Sequence, residues 1–259
     1  MRMVISGVSS GIGKETALFF ARAGHTVYGL SRRPCAIEGV RHLVCDITDE
    51  KSVKEAARSI LSEGDVDCLI NNAGMGISGA YETAATDDIQ RIFDVNVIGG
   101  IWLTQAFIPS LKRTRGRIIN LSSVASVVPL PFQSFYSATK AAVDSLGYAL
   151  AMELRPFGVK VTSVLPGDIR TGFTDARCKN PSEPDDYNGR IARSVGKMEK
   201  DERGGMPPIA VVKVINRAVT AKKPPLRIVV GAKYKVLALL AERMSKRLRQ
   251  AAVYSLYGK

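Results

Sequence analysis

The sequence predicts an α/β fold: a doubly wound, seven-stranded parallel sheet in three layers, with helices on both faces. Three observations predict it. Strand-like apolar runs alternate with helical patterns along the chain, and strands joined through helices lie parallel because parallel pairing needs a crossover. A length of 259 residues, 46% hydrophobic and 24% charged, suits one large domain with a full core. Glycines and polar residues gather repeatedly where strand patterns end, which is where open parallel sheets bind ligands.

The elements follow in order. A strand at 3–6 meets the turn GVSSGIG, which opens a helix at 12–23. Strands at 26–31 and 40–45 precede a helix at 51–62, and a strand at 68–71 ends in NNAG. A helical pattern at 86–113 reads as two helices or one bent helix. A strand at 117–121 leads to a helix at 135–155, and a strand at 160–165 to a connection over about 167–208 rich in Pro, Gly and charge. Connections this long are functional or mobile in compact domains, so this one reads as a lid over a pocket. A helix at 207–221, a strand at 227–230 and an amphipathic helix at 233–249 complete the chain. The expectation is a single domain over 1–259, with the lid at about 167–208 and a basic extension at about 222–259.

Charge and cysteine usage narrow the class. The net charge is +13, and residues 222–259 hold ten Lys/Arg against one acid, Glu242. No nucleic-acid-binding motif accompanies them, so no nucleic-acid partner is expected. A solvated face or attraction for an anionic ligand is favoured, with peripheral contact to a membrane surface left open. Cys35, Cys45, Cys68 and Cys178 form no CxxC pair and have no His at ligand spacing. They read as reduced thiols in a cytoplasmic protein, with no metal site. His25 and His42 read as surface residues without partners. MRMVISG runs straight into a strand, leaving no room for a signal peptide, and apolar runs are expected to be too short to span a bilayer. A soluble protein is expected.

The chemistry-bearing residues fall on strand ends. In Gly7-Val-Ser-Ser-Gly11-Ile-Gly13 the glycines permit a tight turn and close approach of a pyrophosphate to a helix N-terminus, as in a Rossmann-type fold. Arg32 and Arg33 end the second strand, where an acid for a ribose hydroxyl would otherwise stand, and Arg32 lies 19 residues after Gly13. A guanidinium fork suits a 2′-phosphate, so NADP(H) is expected over NAD, with Ser9 or Ser10 as further donors. Asp46 is placed to bond an adenine amine or to cap the next helix. Small residues in Asn72-Ala73-Gly74 let backbone meet the cofactor, and Pro166-Gly167-Asp168-Ile169-Arg170-Thr171 forms a nicotinamide clamp or a plain turn. Tyr136 and Lys140 stand one helical turn apart, where an ammonium would lower a phenol's pKa and make it a usable acid and base.

Taken together, GVSSGIG, CDIT, NNAG, Asn96 in FDVNVIG, Ser123 in INLSS, YSATK and PGDIRT resemble the short-chain dehydrogenase/reductase family, in its single-domain branch, from Val4 to about Thr171. The family's usual initial Thr is Ser6 here, which keeps a hydroxyl. The resemblance implies a catalytic tetrad of Asn96, Ser123, Tyr136 and Lys140. In it Ser123 holds the substrate oxygen, Tyr136 exchanges the proton, Lys140 tunes Tyr136 and binds the nicotinamide ribose, and Asn96 supports a water linking Lys140 to solvent. The implied cofactor contacts are Gly7, Ser9, Ser10, Gly11, Ile12, Gly13, Arg32, Arg33, Asp46, Ile47, Asn72, Ala73, Gly74, Tyr136, Lys140, Pro166, Gly167, Ile169 and Thr171. SRR, NNAGMGISGA and the basic C-terminal helix are similar to the hydroxysteroid and retinol dehydrogenase-like subgroup, which implies a lipophilic ketone or secondary alcohol. Met75, Ile77, Val124, Val127, Pro129, Leu130, Phe132, Phe135 and Phe173 are expected near the pocket, with Tyr187 and Met206 from the lid. A homodimer or homotetramer through the helices at 86–113 and 135–155 is implied as well. The competing readings are a cofactor-sensing binding protein without turnover and an adaptor that uses the basic tail. A sugar-nucleotide epimerase shares the YxxxK pair but needs a longer substrate domain.

Overall fold

The structure, a computed structural model, describes residues 1–180, 182 and 184–259. Positions 181 and 183 of the expected lid lie outside the described residues. The strands β1 (Arg2–Ser6), β2 (Thr26–Ser31), β3 (Val40–Val44), β4 (Cys68–Asn71), β6 (Arg117–Leu121), β7 (Lys160–Leu165) and β9 (Arg227–Val229) form one parallel sheet in the order β3-β2-β1-β4-β6-β7-β9. Two short strands, β5 (Ile77–Ser78) and β8 (Cys178–Lys179), pair in a separate parallel ribbon.

Strand side chains alternate between faces, and the core divides accordingly. Met3 and Ile5 of β1 join one cluster with Ala17 and Phe20 of α1 (Gly11–Arg22) and Val211 and Ile215 of α7 (Ile209–Thr220). Val4, between them, joins the opposite cluster with Val53 and Ile60 of α2 (Glu50–Ser62) and Leu103, Phe107 and Leu111 of α4 (Gly99–Thr114). The order in the sheet reverses between β1 and β4, which opens a crevice beyond the strand ends.

The pattern at 86–113 forms one continuous helix with a defect. α3 (Thr86–Phe93) passes through a π-helical turn, Asp94–Ile98, into α4. By length and composition this 29-residue stretch is apolar enough to cross a bilayer, which corrects the expectation that no apolar run is that long. Ile92, Leu103, Phe107 and Leu111 are nonetheless fully buried within the protein. On the same side lies α5 (Ser134–Glu153).

Two further elements depart from expectation. The lid contains a helix, α6 (Arg190–Arg203), whose Ile191, Val195 and Met198 are buried in an otherwise charged sequence. The pattern at 233–249 is two helices, α8 (Ala232–Arg243) and α9 (Lys246–Tyr257). Ser245 breaks the run and caps α9 by accepting from the Leu248 amide at 3.3 Å. His42 has a partner, the Ser31 hydroxyl at 2.7 Å, and His25 lies 3.3 Å from the N-terminal amine. All four cysteines are free thiols.

Candidate active site

A cavity of about 840 Å³ opens beyond the strand ends. Its first wall is the glycine turn. Gly7 has φ +73, and a Cβ there would lie 2.8 Å from Ala73 Cα. A Cβ on Gly13 would lie 2.2 Å from the Gly7 carbonyl oxygen, so only hydrogen fits. Ser6 takes the place its hydroxyl suggests. Its Oγ accepts from the amides of Asn72 and Ala73, both at 3.1 Å, tying the end of β1 to the end of β4. Asn72 Nδ2 donates in turn to the Ser6 carbonyl at 2.9 Å.

The residues here fit a dinucleotide. Ser10 precedes α1 without capping it through its side chain, which leaves first-turn amides and the positive helix end facing the cavity. The hydroxyls of Ser9 and Ser10 and the guanidinium of Arg32 line the cavity and make no hydrogen bond or ion pair among the described residues. Gly11, Ile12, Asp46, Ile47, Asn72, Ala73, Gly74, Pro166, Gly167, Ile169 and Thr171 also line it. Thr171 sits over the glycine turn, its Cβ 3.5 Å from where a Gly11 Cβ would stand.

Arg33 does not share this wall. It is exposed and outside the cavity lining, in the bend that follows β2, and its carbonyl is held by the Ser31 hydroxyl at 2.8 Å. Nor does Asp46 cap α2: it accepts from the Thr48 amide and hydroxyl at 2.9 and 2.8 Å, while Asp49 caps the helix through the Lys51 amide at 2.9 Å.

Three residues of the expected tetrad line the cavity and the fourth stands beside them. Ser123 heads a short 3₁₀ turn, Val124–Ser126, its Oγ accepting from the Ala125 amide at 3.1 Å. Tyr136 and Lys140 lie on the first turns of α5 and line the cavity with Ser123. Lys140 is buried, 5% exposed, and its Nζ donates to the Leu121 carbonyl at 2.8 Å. Asn96 stands behind them in the π-helical turn. Its Oδ1 accepts from the Met75 amide at 2.8 Å, and its Nδ2 donates to the Met75 carbonyl at 2.9 Å and Thr139 Oγ1 at 3.0 Å. A Cβ on Gly74 would lie 3.4 Å from Asn96 Oδ1 and 3.5 Å from Lys140 Nζ, so the bare backbone of NNAG passes between the two.

The protonation states differ from the sequence expectation. Burial pushes the Tyr136 phenol up to about 12; its hydrogen bond with Ser123 opposes the shift, Glu202 adds to it, and Arg177 opposes it. Burial likewise pushes Lys140 down to about 8. The Lys140 ammonium is spent on a backbone carbonyl and lies 5.7 Å from the Tyr136 ring centre. Its attraction for a phenolate is therefore outweighed by loss of hydration.

Of the expected pocket residues, Met75, Val124, Leu130 and Phe173 line the cavity, with Phe173 set 5.8 Å from the Tyr136 ring. Ile77, Val127, Pro129, Phe132, Phe135, Tyr187 and Met206 do not. Phe135 stacks on Tyr81 at 4.8 Å and Phe132 packs edge-on against Tyr187 at 6.0 Å. Val127 packs in a satellite cluster and Met206 against the main core. One wall goes to the C-terminal helical run, for which packing on the subunit is the first expectation from sequence and covering the pocket an alternative. Leu237, Leu240 and Met244 of the α8 region and Val253, Leu256 and Tyr257 of α9 build it, with Glu202 and Lys197 of α6. The signal was available as Lys233, Leu237, Leu240 and Met244, which follow one helical stripe. Tyrosines clamp this wall to its neighbours: Tyr234 bonds Asp168, and Tyr257 donates to Asp201 at 2.9 Å. Burial raises the Asp168 carboxyl above its usual range, against the Tyr234 hydrogen bond.

Among the described residues no group of His, Cys, Asp and Glu is arranged to hold a metal ion. The short chain dehydrogenase family model matches residues 2–182. The chain is 43% identical over 240 residues to the 3-ketodihydrosphingosine reductase of Bacteroides thetaiotaomicron, covering 91% of this chain and 89% of that protein. It is 33% identical over 249 residues to human 17-beta-hydroxysteroid dehydrogenase type 1, covering 87% and 76%. A solved short-chain dehydrogenase from Streptomyces avermitilis superposes with a TM-score of 0.85 at 30% identity, covering 97% of this chain and 94% of the other. Two solved structures with TM-scores of 0.75 and 0.77 are complexes with NADH and NADP respectively. A glycine turn, a Tyr136–Lys140 pair and a Rossmann-type sheet thus meet the family model over most of its length, and the chain belongs to the short-chain dehydrogenase/reductase family of oxidoreductases.

Proposed function

We propose that this protein is an NADP(H)-dependent oxidoreductase that interconverts a ketone and a secondary alcohol on a lipophilic small molecule. The observation that carries this reading is the lining of the cavity. Polar groups suited to a dinucleotide, Ser123 with Tyr136, and leucines with Met244 and Val253 all line the same space. Apolar walls with few polar groups select lipophilic ligands. Likeness to a 3-ketodihydrosphingosine reductase and a hydroxysteroid dehydrogenase supports long-chain keto lipids, steroids and retinoids as the compounds to test.

When bound, the nicotinamide supplies a hydride to the carbonyl carbon. Ser123 holds the carbonyl oxygen, and Tyr136 delivers the proton. With its pKa raised to about 12, the phenol keeps that proton at neutral pH, which suits an acid in the reductive direction. Lys140 holds the nicotinamide ribose, and Asn96 fixes the strand-end backbone at Met75 beside it. Ser9, Ser10 and Arg32 hold the 2′-phosphate, which is why NADP is proposed over NAD. The protein acts as one domain in a reducing cytoplasm, in keeping with its four free thiols, and as a homodimer or homotetramer through α4 and α5.

The experiment is a substrate panel of sphingoid ketones, steroids, retinoids and short ketones, followed by NADPH absorbance with NADH alongside. Turnover of long lipophilic ketones with NADPH is expected. Turnover confined to small polar ketones, or stronger use of NADH, overturns the substrate or cofactor assignment.

A further inference from the structure

We infer that α8 and α9 form a docking surface for an anionic lipid bilayer, and that the cavity draws its substrate from that bilayer through a mouth edged by their leucines. Among the described residues sixteen large hydrophobic side chains are exposed, and seven of them lie in 232–259. On α8, Val236, Leu239 and Leu240 are 58%, 47% and 52% exposed; on α9, Leu248 and Leu256 are 57% and 58% exposed. An apolar concentration of this kind marks an interaction site.

Two observations identify the occupant. The first is charge. Lys233, Lys235, Arg243, Lys246 and Arg247 are exposed and form no ion pair among the described residues, and the one acid of this region, Glu242, is bound to Arg227. Cations without close ion-pair partners beside an apolar patch would repel one another across an interface between two copies of the chain. Anionic headgroups neutralise them while the leucines enter the acyl boundary. The second is continuity with the active site. Leu237, Leu240 and Leu256 are both exposed and part of the cavity wall. Met244 and Val253 extend the apolar wall within the cavity. A long alkyl chain passing from membrane to cavity therefore finds leucines, Met244 and Val253 along its way.

The bilayer arm of this inference stands without the proposed activity; the delivery arm rests on it. The test uses the full-length protein and vesicles of phosphatidylcholine, with and without phosphatidylglycerol, in a flotation assay without substrate. Wild type is expected to float with the anionic vesicles and to release as salt shortens the range of charge attraction. The double variant Val236→Glu, Leu248→Glu alters residues outside the cavity wall and is expected to bind these vesicles about tenfold or more weakly. It should keep wild-type turnover of a short soluble ketone and lose turnover of a long-chain ketone presented in vesicles. Wild type that stays in the soluble fraction overturns the docking surface, as does a double variant that floats equally well. A lower mass of the double variant by light scattering would assign the patch to a second copy of the chain and also overturn it. Equal loss of soluble and vesicle-borne turnover would overturn the delivery arm. Absence of turnover in wild type with intact flotation would instead remove the proposed activity alone.

Discussion

A phenol half-buried at a cavity wall loses much of the hydration that would stabilise its anion, so Tyr136 holds its proton up to about 12, while burial lets Lys140 lose its own near 8. Both shifts enter stability. Between about pH 8 and 10.5 the unfolded chain keeps a Lys140 proton that the folded chain has lost, so folding gains as pH rises. Wild type should gain roughly 3 kcal/mol relative to Lys140→Met across that window, read as the difference between urea unfolding curves. Above about pH 10 Tyr136 acts with opposite sign, since the folded chain now keeps the proton and stability falls with pH. Arg32 has a separate test. Arg32→Ala should raise the KM for NADPH about 10- to 100-fold, the worth of one or two charge-assisted bonds, and leave that for NADH unchanged. The types and spacings of these residues were legible: the glycine turn, Ser123, Tyr136 and Lys140 line one cavity, and Asn96 stands behind it against the Met75 backbone. The pKa directions were not legible, because YxxxK spacing gives the distance between two groups and says nothing of how much water each keeps. Arg33 misled because a strand pattern does not say how the chain bends beyond Ser31, a bend that leaves Arg32 in the cavity wall and Arg33 outside it.

At the scale of elements, the π-helical turn at Asp94–Ile98 is the least regular and the most consequential. The extra residue in a π turn displaces a side chain from the regular helical stripe, and here Asn96 reaches both the Met75 backbone and Thr139. Asn96→Ala leaves the part-buried amide and carbonyl of Met75 without their Asn96 partner and should cost about 1 kcal/mol or more, measured by urea unfolding, together with a fall in turnover. Gly13→Ala, with its methyl forced against the Gly7 carbonyl, should abolish nucleotide binding as read by fluorescence titration. The strand patterns at 26–31, 68–71, 117–121 and 160–165 coincide with β2, β4, β6 and β7, because strands buried in a parallel sheet are short apolar runs bounded by turns. The π turn has no such signature in FDVNVIG. Helix α6 was hidden in a strongly charged stretch whose three buried apolar residues, Ile191, Val195 and Met198, are its only hydrophobic mark, and the break between α8 and α9 rests on a single serine cap.

For the whole molecule, connection rules carried the prediction further than local pattern. Alternating strands and helices allow few right-handed parallel sheets, and β3-β2-β1-β4-β6-β7-β9 is one of them. The origin of the C-terminal cavity wall was outside those rules, since nothing in strand order states which face a C-terminal helix covers. The helical faces left open on α5 bear on assembly: Leu146 and Met152 are 45% and 70% exposed. If α4 and α5 join subunits, Leu146→Arg with Met152→Arg should lower the mass seen by light scattering to that of one chain without changing the far-ultraviolet circular dichroism. An unchanged mass would remove these helices as the interface.

The central claim is that Tyr136 is the proton donor of a hydride-transfer enzyme. Its most direct test is steady-state reduction of a lipophilic ketone by NADPH with wild type and Tyr136→Phe, alongside NADPH binding by each. Loss of turnover by about 10²–10⁴-fold or more with binding retained is the expected result, and near wild-type turnover of the variant would contradict it.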